Sequence, residues 1–303
     1  MDTAPHVFDR ALVRGRIERA LRSGFASFLL ERAAADLEER LGAVTRPFQD
    51  ALDIGTPTSV AAEAGGRARP GLPVFRLAPA LSSPGGGLGI VGDEEALPIA
   101  PGSVDLAVSL LALQAANDLP GALVQIRRAL RPDGLLLACL FGGDTLTELR
   151  QSFAAAESEI EGGASPRVAP FADVRALGGL LQRAGFALPV VDLETVTVRY
   201  GNAFRLMADL RQMGLTNSLA QRRRTPLRRA TLVRMAEIYA ERFADPDGRI
   251  RATFDIVWVS GWAPHESQQK PLRPGSARAR LADALGVPEH KVGDTEGGQG
   301  GRG

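Results

Sequence analysis

Apolar residues in this chain gather into short, mainly apolar runs, separated by segments in which they recur every three or four positions. The runs at Ala51–Gly55, Val74–Leu77, Leu88–Val91, Ser103–Leu110 and Leu135–Phe141 read as strands, the first of them short and buried. Helical spacing is found over Thr56–Ala64, where Pro57 suits only a first turn, over Leu119–Leu130, and from about Asp144 towards Ile160. Pro79–Gly89 is loop-like in composition, and Arg131-Pro-Asp-Gly134 is a turn. This alternation across Leu52–Arg150 predicts an α/β fold, a parallel sheet with helices on both faces. Upstream, Asp9–Leu41 reads as one helical stretch carried by Leu12, Ile17, Leu21, Phe25, Phe28, Leu29 and Leu37. Downstream come a helix over Phe171–Ala184 closed by Gly185, an alternating strand Val190–Tyr200, helices Asn202–Met213 and Thr225–Arg242, and a last strand Ile250–Trp262. After Ala263 apolar residues thin out, which predicts a mostly disordered tail with at most a short helix at Ala277–Leu285. The organisation expected is a helical cap (1–45), a sheet domain (46–262) with a helical insertion at about 202–243, and the tail (263–303).

The chain has 303 residues, 45% hydrophobic and 23% charged, the balance of a soluble globular protein. No apolar run is long enough to span a bilayer and Met1–Arg10 lacks the form of a secretory signal. A cytoplasmic location with at most peripheral membrane contact is expected. A formal net charge of +1 makes no case for nucleic acid as a partner. Cys139 lies within an apolar run and is expected to pack rather than react. No Cys/His ligand spacing suggests a metal, since His6, His265 and His290 fall near the ends. Arg10, Arg14, Arg16, Arg19 and Arg22 decorate the first helical stretch. Such a face is usually solvated, and a lid or a site for an acidic partner is the rarer alternative.

In open α/β sheets ligands bind beyond the carboxyl ends of the strands. The candidates there are Asp53-Ile-Gly55 after the first strand, Asp93-Glu94-Glu95 after the third, and Phe141-Gly-Gly-Asp-Thr-Leu-Thr-Glu-Leu-Arg150 after the fifth. Asp93 and Glu94 could accept from an amine or a ribose, although exposed turn carboxylates are common. On a helix beginning near Asp144, Asp144 and Glu148 would share one face and could grip a guanidinium group. The plainer alternative is that they cap the helix or pair with Arg150 or Arg10.

Asp53-Ile-Gly55, Asp93-Glu-Glu-Ala-Leu-Pro98, Ser103–Ser109 and Leu130-Arg-Pro-Asp-Gly134 stand in the order found in class I S-adenosylmethionine-dependent methyltransferases. Asn117-Asp-Leu-Pro120, Phe141–Leu146 with Glu148-Leu-Arg150, Ser165-Pro166, Pro170-Phe171, Arg183-Ala-Gly-Phe186 and Gly261-Trp262 with His265-Glu-Ser-Gln268 resemble the complex I assembly factor 5 family, from about Phe8 to the tail. The resemblance implies a Rossmann-like, mostly parallel seven-stranded sheet whose final strand is antiparallel. It implies S-adenosylmethionine as cofactor, with Asp53, Gly55, Asp93 and Glu94 as the residues to hold it, while Asp144 and Glu148 stay the candidates to meet the guanidinium group of a protein substrate. It also implies a role in assembling respiratory complex I, whose subunits would include the substrate. Mitochondrial members are described as hydroxylating an arginine, and wider relatives as methylating a malonyl group on acyl carrier protein. The chain departs from the family where the glycine-rich loop should be: Gly55 is followed by Thr56-Pro57-Thr58. Leu77-Ala-Pro79 supplies no carboxylate at the second strand end, and Leu113-Gln-Ala115 replaces an aromatic pattern. The retained Asp93–Pro98 and Gly142–Arg150 favour an S-adenosylmethionine-dependent methyltransferase-family protein acting on a protein substrate by methylation or arginine hydroxylation, the reading adopted; the altered first-strand corner favours the alternative of a non-catalytic assembly module with a degenerate cofactor site.

Overall fold

The computed structural model describes residues 6–78 and 89–268. Strands β1 (Ala51–Ile54), β2 (Val74–Ala78), β3 (Gly89–Val91), β4 (Val104–Leu110), β5 (Leu130–Phe141), β6 (Ala187–Tyr200) and β7 (Ile250–Trp262) form one sheet in the order β3-β2-β1-β4-β5-β7-β6. β7 runs antiparallel to both of its neighbours, and the β3–β2–β1–β4–β5 pairings are parallel. The strand order reverses between β1 and β4, which opens a crevice at their carboxyl ends.

The mainly apolar runs are explained by burial on both faces. Leu135, Leu137, Cys139 and Phe141 of β5 enter the core on one side, and Leu136, Leu140 and Ala138 the core on the other. The first face is covered by α2 (Phe28–Ala43), α3 (Val60–Ala68), α5 (Thr147–Glu161), α7 (Ala203–Gln212) and α8 (Arg229–Phe243), the second by α4 (Leu119–Ala129) and α6 (Val174–Ala184). Capping places the helix starts: Asp118 accepts from Gly121 N, Asp173 from Ala176 N, and Asn202 from Arg205 N. Gly185, at φ 85°, ends α6 as expected.

The single helix expected over Asp9–Leu41 is two. α1 (Arg10–Ser23) stops at Gly24, whose φ of 93° leaves the helical region, and α2 restarts at Phe28. Helix α8 begins four residues later than expected, at Arg229, and α3 begins at Val60, after the Thr56-Pro57-Thr58 turn. Cys139 is fully buried, and burial pushes its thiol up to about 12, so it is inert packing. The predicted tail helix and nearly all of the Pro79–Gly89 loop lie outside the described residues. Among the described residues no helix is long and apolar enough to cross a membrane, and no cluster of side chains could hold a metal ion.

Candidate functional site

A cavity of about 260 Å³ lies over the carboxyl ends of β1, β4 and β5, beneath α1 and α7. Its strand-tip end is lined by Gly55, Pro57, Glu94, Leu111, Ala112 and Gln114. Its far end is apolar, with Phe141, Leu149, Phe153, Phe171, Met207 and Leu210. Leu111 and Leu146, both in its wall, have φ of 49° and 56°. Leucine avoids that region, so the surrounding packing holds two strained residues at this cavity; such strain gathers at ligand sites. Periodicity carries no trace of it.

Of the four residues expected to hold a cofactor, Gly55 and Glu94 reach the cavity. Gly55 sits at φ 76°, and a Cβ there would lie 2.9 Å from Ala112 Cβ, so glycine is required. Glu94 is 3% exposed; Oε1 accepts from Arg10 at 2.5 Å while Oε2 is buried with no protein partner. A buried carboxylate oxygen left unpaired at a cavity wall is a ready acceptor for a ligand donor. The side-chain oxygen of Gln114 is also buried and unpaired there.

Asp53 and Asp93 are placed differently. Asp53 is 1% exposed and lies outside the cavity lining. The β1–β2 register sets Arg76 beside it, with Nε 3.2 Å from Oδ2. The same guanidinium donates to the carbonyls of Thr56 (3.0 Å) and Thr58 (2.6 Å), and Thr56 Oγ1 accepts from Leu110 N at 3.0 Å. The turn that lacks the family's glycines is thus pinned by an arginine from the adjacent strand. Desolvation raises the Asp53 carboxyl to about 6, with Thr56 and Arg76 opposing the rise.

Asp93 is engaged by Arg10, 3.0 Å from its Oδ1. Arg10 also donates to Ala115 O at 2.9 Å. This arginine was expected on a solvated face. Instead it is a plug, carrying α1 down onto the acidic corner. Neighbouring contacts fix the same closure: Asn117 exchanges hydrogen bonds with Phe8 through Phe8 N (2.8 Å) and Phe8 O (3.1 Å), and Glu95 accepts from the Asn117 and Asp118 amides.

The corner after β5 corrects the expected carboxylate pair. α5 starts at Thr147, not near Asp144, so the two carboxylates do not share a helix face. Glu148 is spent on β7, its oxygens accepting from Thr253 N (3.1 Å) and Thr253 Oγ1 (2.5 Å). Thr145 Oγ1 bonds both Asp255 O and Asp255 N, Gly142 N donates to Asp255 O, and Leu146 N to Thr253 O. Asp144 is exposed, and Arg150 donates to the carbonyls of Thr145 and Ala169 rather than to a carboxylate. The segment is a latch between α5 and β7 that presents Leu146 and Leu149 to the cavity. Gly142 belongs to it sterically, because a Cβ would lie 2.7 Å from Val257 Cγ2 and 3.1 Å from Asp255 Cβ. Gly142→Ala is therefore expected to cost ~1–3 kcal/mol in denaturant unfolding. A variant as stable as wild type would show that the latch has slack.

Loop 162–173 closes the far end. Glu157, fully buried, accepts from Ser165 and, through Oε1, from Arg167 Nε at 2.7 Å; Arg167 lies over Phe153.

Residues 77–138 match the model of a methyltransferase domain family. The chain is 38% identical to arginine-hydroxylase NDUFAF5 of Danio rerio, across 92% of this chain and 89% of that one. It is 38% identical to its Homo sapiens counterpart, across 92% and 83%. A malonyl-[acyl-carrier protein] O-methyltransferase of Xylella fastidiosa is 40% identical over 58% of this chain and 57% of its own. Among solved structures, YcgJ of Bacillus subtilis superposes with a TM-score of 0.52 at 12% identity, across 76% of this chain and 99% of that one.

Proposed function

The chain belongs to the arginine-hydroxylase NDUFAF5 family of class I S-adenosylmethionine-dependent methyltransferase-fold proteins, and from that premise we propose that it binds S-adenosylmethionine at the strand-tip end of the cavity and modifies an arginine side chain of a protein substrate during assembly of respiratory complex I. The observation that carries the reading is the unpaired Glu94 oxygen beside Gly55, in the wall of the cavity over the strand tips. The residues present fit the cofactor: Glu94 and Gln114 offer buried, unpaired acceptors to amine or hydroxyl donors. When bound, S-adenosylmethionine supplies an electrophilic methyl group. The chain's part is to orient and to exclude water, with the apolar far end receiving the substrate's aliphatic stem. Arginine as the modified side chain rests on the name its relatives carry. The partner, a subunit of the respiratory complex, and a cytoplasmic place of action are part of the same proposal.

Titration of the purified chain with S-adenosylmethionine tests it by heat and by thermal shift. Saturable binding is expected, weakened ~10-fold by Glu94→Gln, which loses one charged acceptor. No heat and no thermal shift at millimolar ligand would sink the cofactor-dependent reading.

The second reading is a non-catalytic assembly module. The two guanidinium groups favour it: Arg10 is paired with the acidic corner and Arg76 clamps the first turn, so much of the polar chemistry at the sheet's ligand end is already satisfied within the protein.

A further inference from the structure

We infer that the face formed by α1, α7 and the segment between α7 and α8 docks an acidic protein segment, its carboxylates on a cluster of arginines and an apolar residue in the cavity mouth. This goes beyond the reading above, because it concerns a surface outside the strand-tip end and needs no cofactor.

The first observation is charge segregation. Residues 9–23 and 201–229 together hold twelve arginines and no lysine, against the carboxylates of Asp9, Glu18 and Asp209, in a chain whose formal net charge is +1. The remainder of the chain is therefore acidic, and one region carries nearly all of the positive excess.

The second is that the fold brings the two stretches together. Asp9 N donates to Ser218 O, Ala220 N to Val7 O, and Arg16 Nη1 to Thr216 O at 2.5 Å. Gly214 packs on Ile17 so closely that a Cβ would lie 3.1 Å from its Cα. Arg16, Arg19, Arg222 and Arg224 consequently crowd one another: burial and then the charges of Arg222 and Arg19 depress Arg16, and Arg222 and Arg224 both act on Asp9. Arg14 and Arg211 are exposed and stand in the cavity lining beside Ile17 and Leu227.

The third is that part of this charge has no internal counterion. Arg10 pairs with Asp93 and Glu94, Arg22 with Glu18, Arg222 with Asp9 and Arg223 with Glu161, and Arg14 lies 3.7 Å from Asp93. Among the described residues, no carboxylate lies within ion-pair distance of Arg16, Arg19, Arg211 or Arg224. Some surface arginines elsewhere are heavily paired, as Arg234 is with Glu159, Glu237 and Glu241, and Arg199 with Asp245 and Asp247. Like charges held together without counterions are destabilising in the free protein and are relieved by an anionic partner.

A protein is favoured over other polyanions by shape and chemistry. The cations border a recessed apolar mouth, and a duplex offers no apolar side chain to fill it. A bilayer is flat, whereas Ile17, Leu227 and Met213 are recessed rather than protruding. The arginine fork matches carboxylates in pairs.

The test uses the full chain and a fluorescent amphipathic peptide of glutamate and leucine, read by anisotropy without cofactor. Binding is expected to fall with salt, and to weaken ~10-fold or more in Arg16→Gln/Arg19→Gln/Arg224→Gln, with Arg234→Gln unchanged. The triple variant should keep the wild-type unfolding transition, and Arg211→Gln alone should weaken binding if the triple variant fails to fold. Equal affinity for a lysine–leucine peptide, or unaltered affinity in both arginine variants, would overturn the proposal. Tighter binding of duplex DNA or of phosphatidylglycerol vesicles than of the peptide would overturn it in favour of those surfaces.

Discussion

Between pH 4 and pH 7 the wild-type chain is expected to lose stability, on the order of 3 kcal/mol, that an Asp53→Asn chain keeps. The sign follows from the direction of the shift. Asp53 is raised from 3.8 to about 6 in the fold, so below 3.8 both folded and unfolded chains hold the proton. Between the two values the folded chain retains it and the unfolded chain releases it, and stability falls as pH rises. Above about 6 both are ionised and the loss is complete. Arg76 at 3.2 Å offsets only part of the desolvation, because its guanidinium is shared with the carbonyls of Thr56 and Thr58. Groups whose carboxyls are lowered, such as Glu157 and Asp9, act in the opposite direction, so the comparison with Asp53→Asn, rather than the raw profile, isolates this site. Denaturant midpoints at pH 4, 5, 6 and 7 for the two chains provide the measurement. Parallel profiles would mean that Asp53 is ionised throughout, with Arg76 a full counterion.

The residue that looked most like a cofactor ligand is thus part of the foundation beneath the site, and one feature of the sequence bears on this. Arg76 is a charge within Val74-Phe-Arg-Leu-Ala78, a run otherwise apolar, half-buried at Val74 and Phe75 and buried beyond. A lone arginine in such a strand must meet a carboxylate or carbonyls, and the nearest candidates were Asp53 and the glycine-poor turn after it. The sheet itself was legible because both faces of each central strand are buried, which writes mainly apolar runs into the chain. What stayed hidden depends on partners far away in sequence. Arg10 has the same helical setting as Arg14 and Arg19, and only the arrival of Asp93 and Glu94 beneath it makes it a plug. The break at Gly24 was within reach, since glycine costs a helix about 1 kcal/mol, but apolar spacing ran through it. The start of α5 was not, because Gly142, Thr145 and Leu146 take their hydrogen bonds from β7 rather than from the helix.

That same dependence on β7 separates two acidic residues of one motif. Glu148→Ala is expected to cost ~1–3 kcal/mol, because it leaves the half-buried Thr253 amide and hydroxyl without their acceptor. Asp144→Ala, at an exposed position, is expected to change stability by no more than ~0.5 kcal/mol. The bond that Asp144 makes to Asp255 Oδ2 comes from its backbone amide and survives truncation of the side chain. Glu148→Gln should fall between them, since its amide oxygen can still accept from one Thr253 donor while its NH2 group faces the other. Thermal and denaturant unfolding of the three variants gives the ranking directly. Equal costs for Asp144→Ala and Glu148→Ala would contradict the latch, and would return both carboxylates to consideration as a pair. The expected ranking places the motif's role in packing: its glycine, threonine and glutamate hold α5 on β7, and through Leu146 and Leu149 they shape the cavity wall.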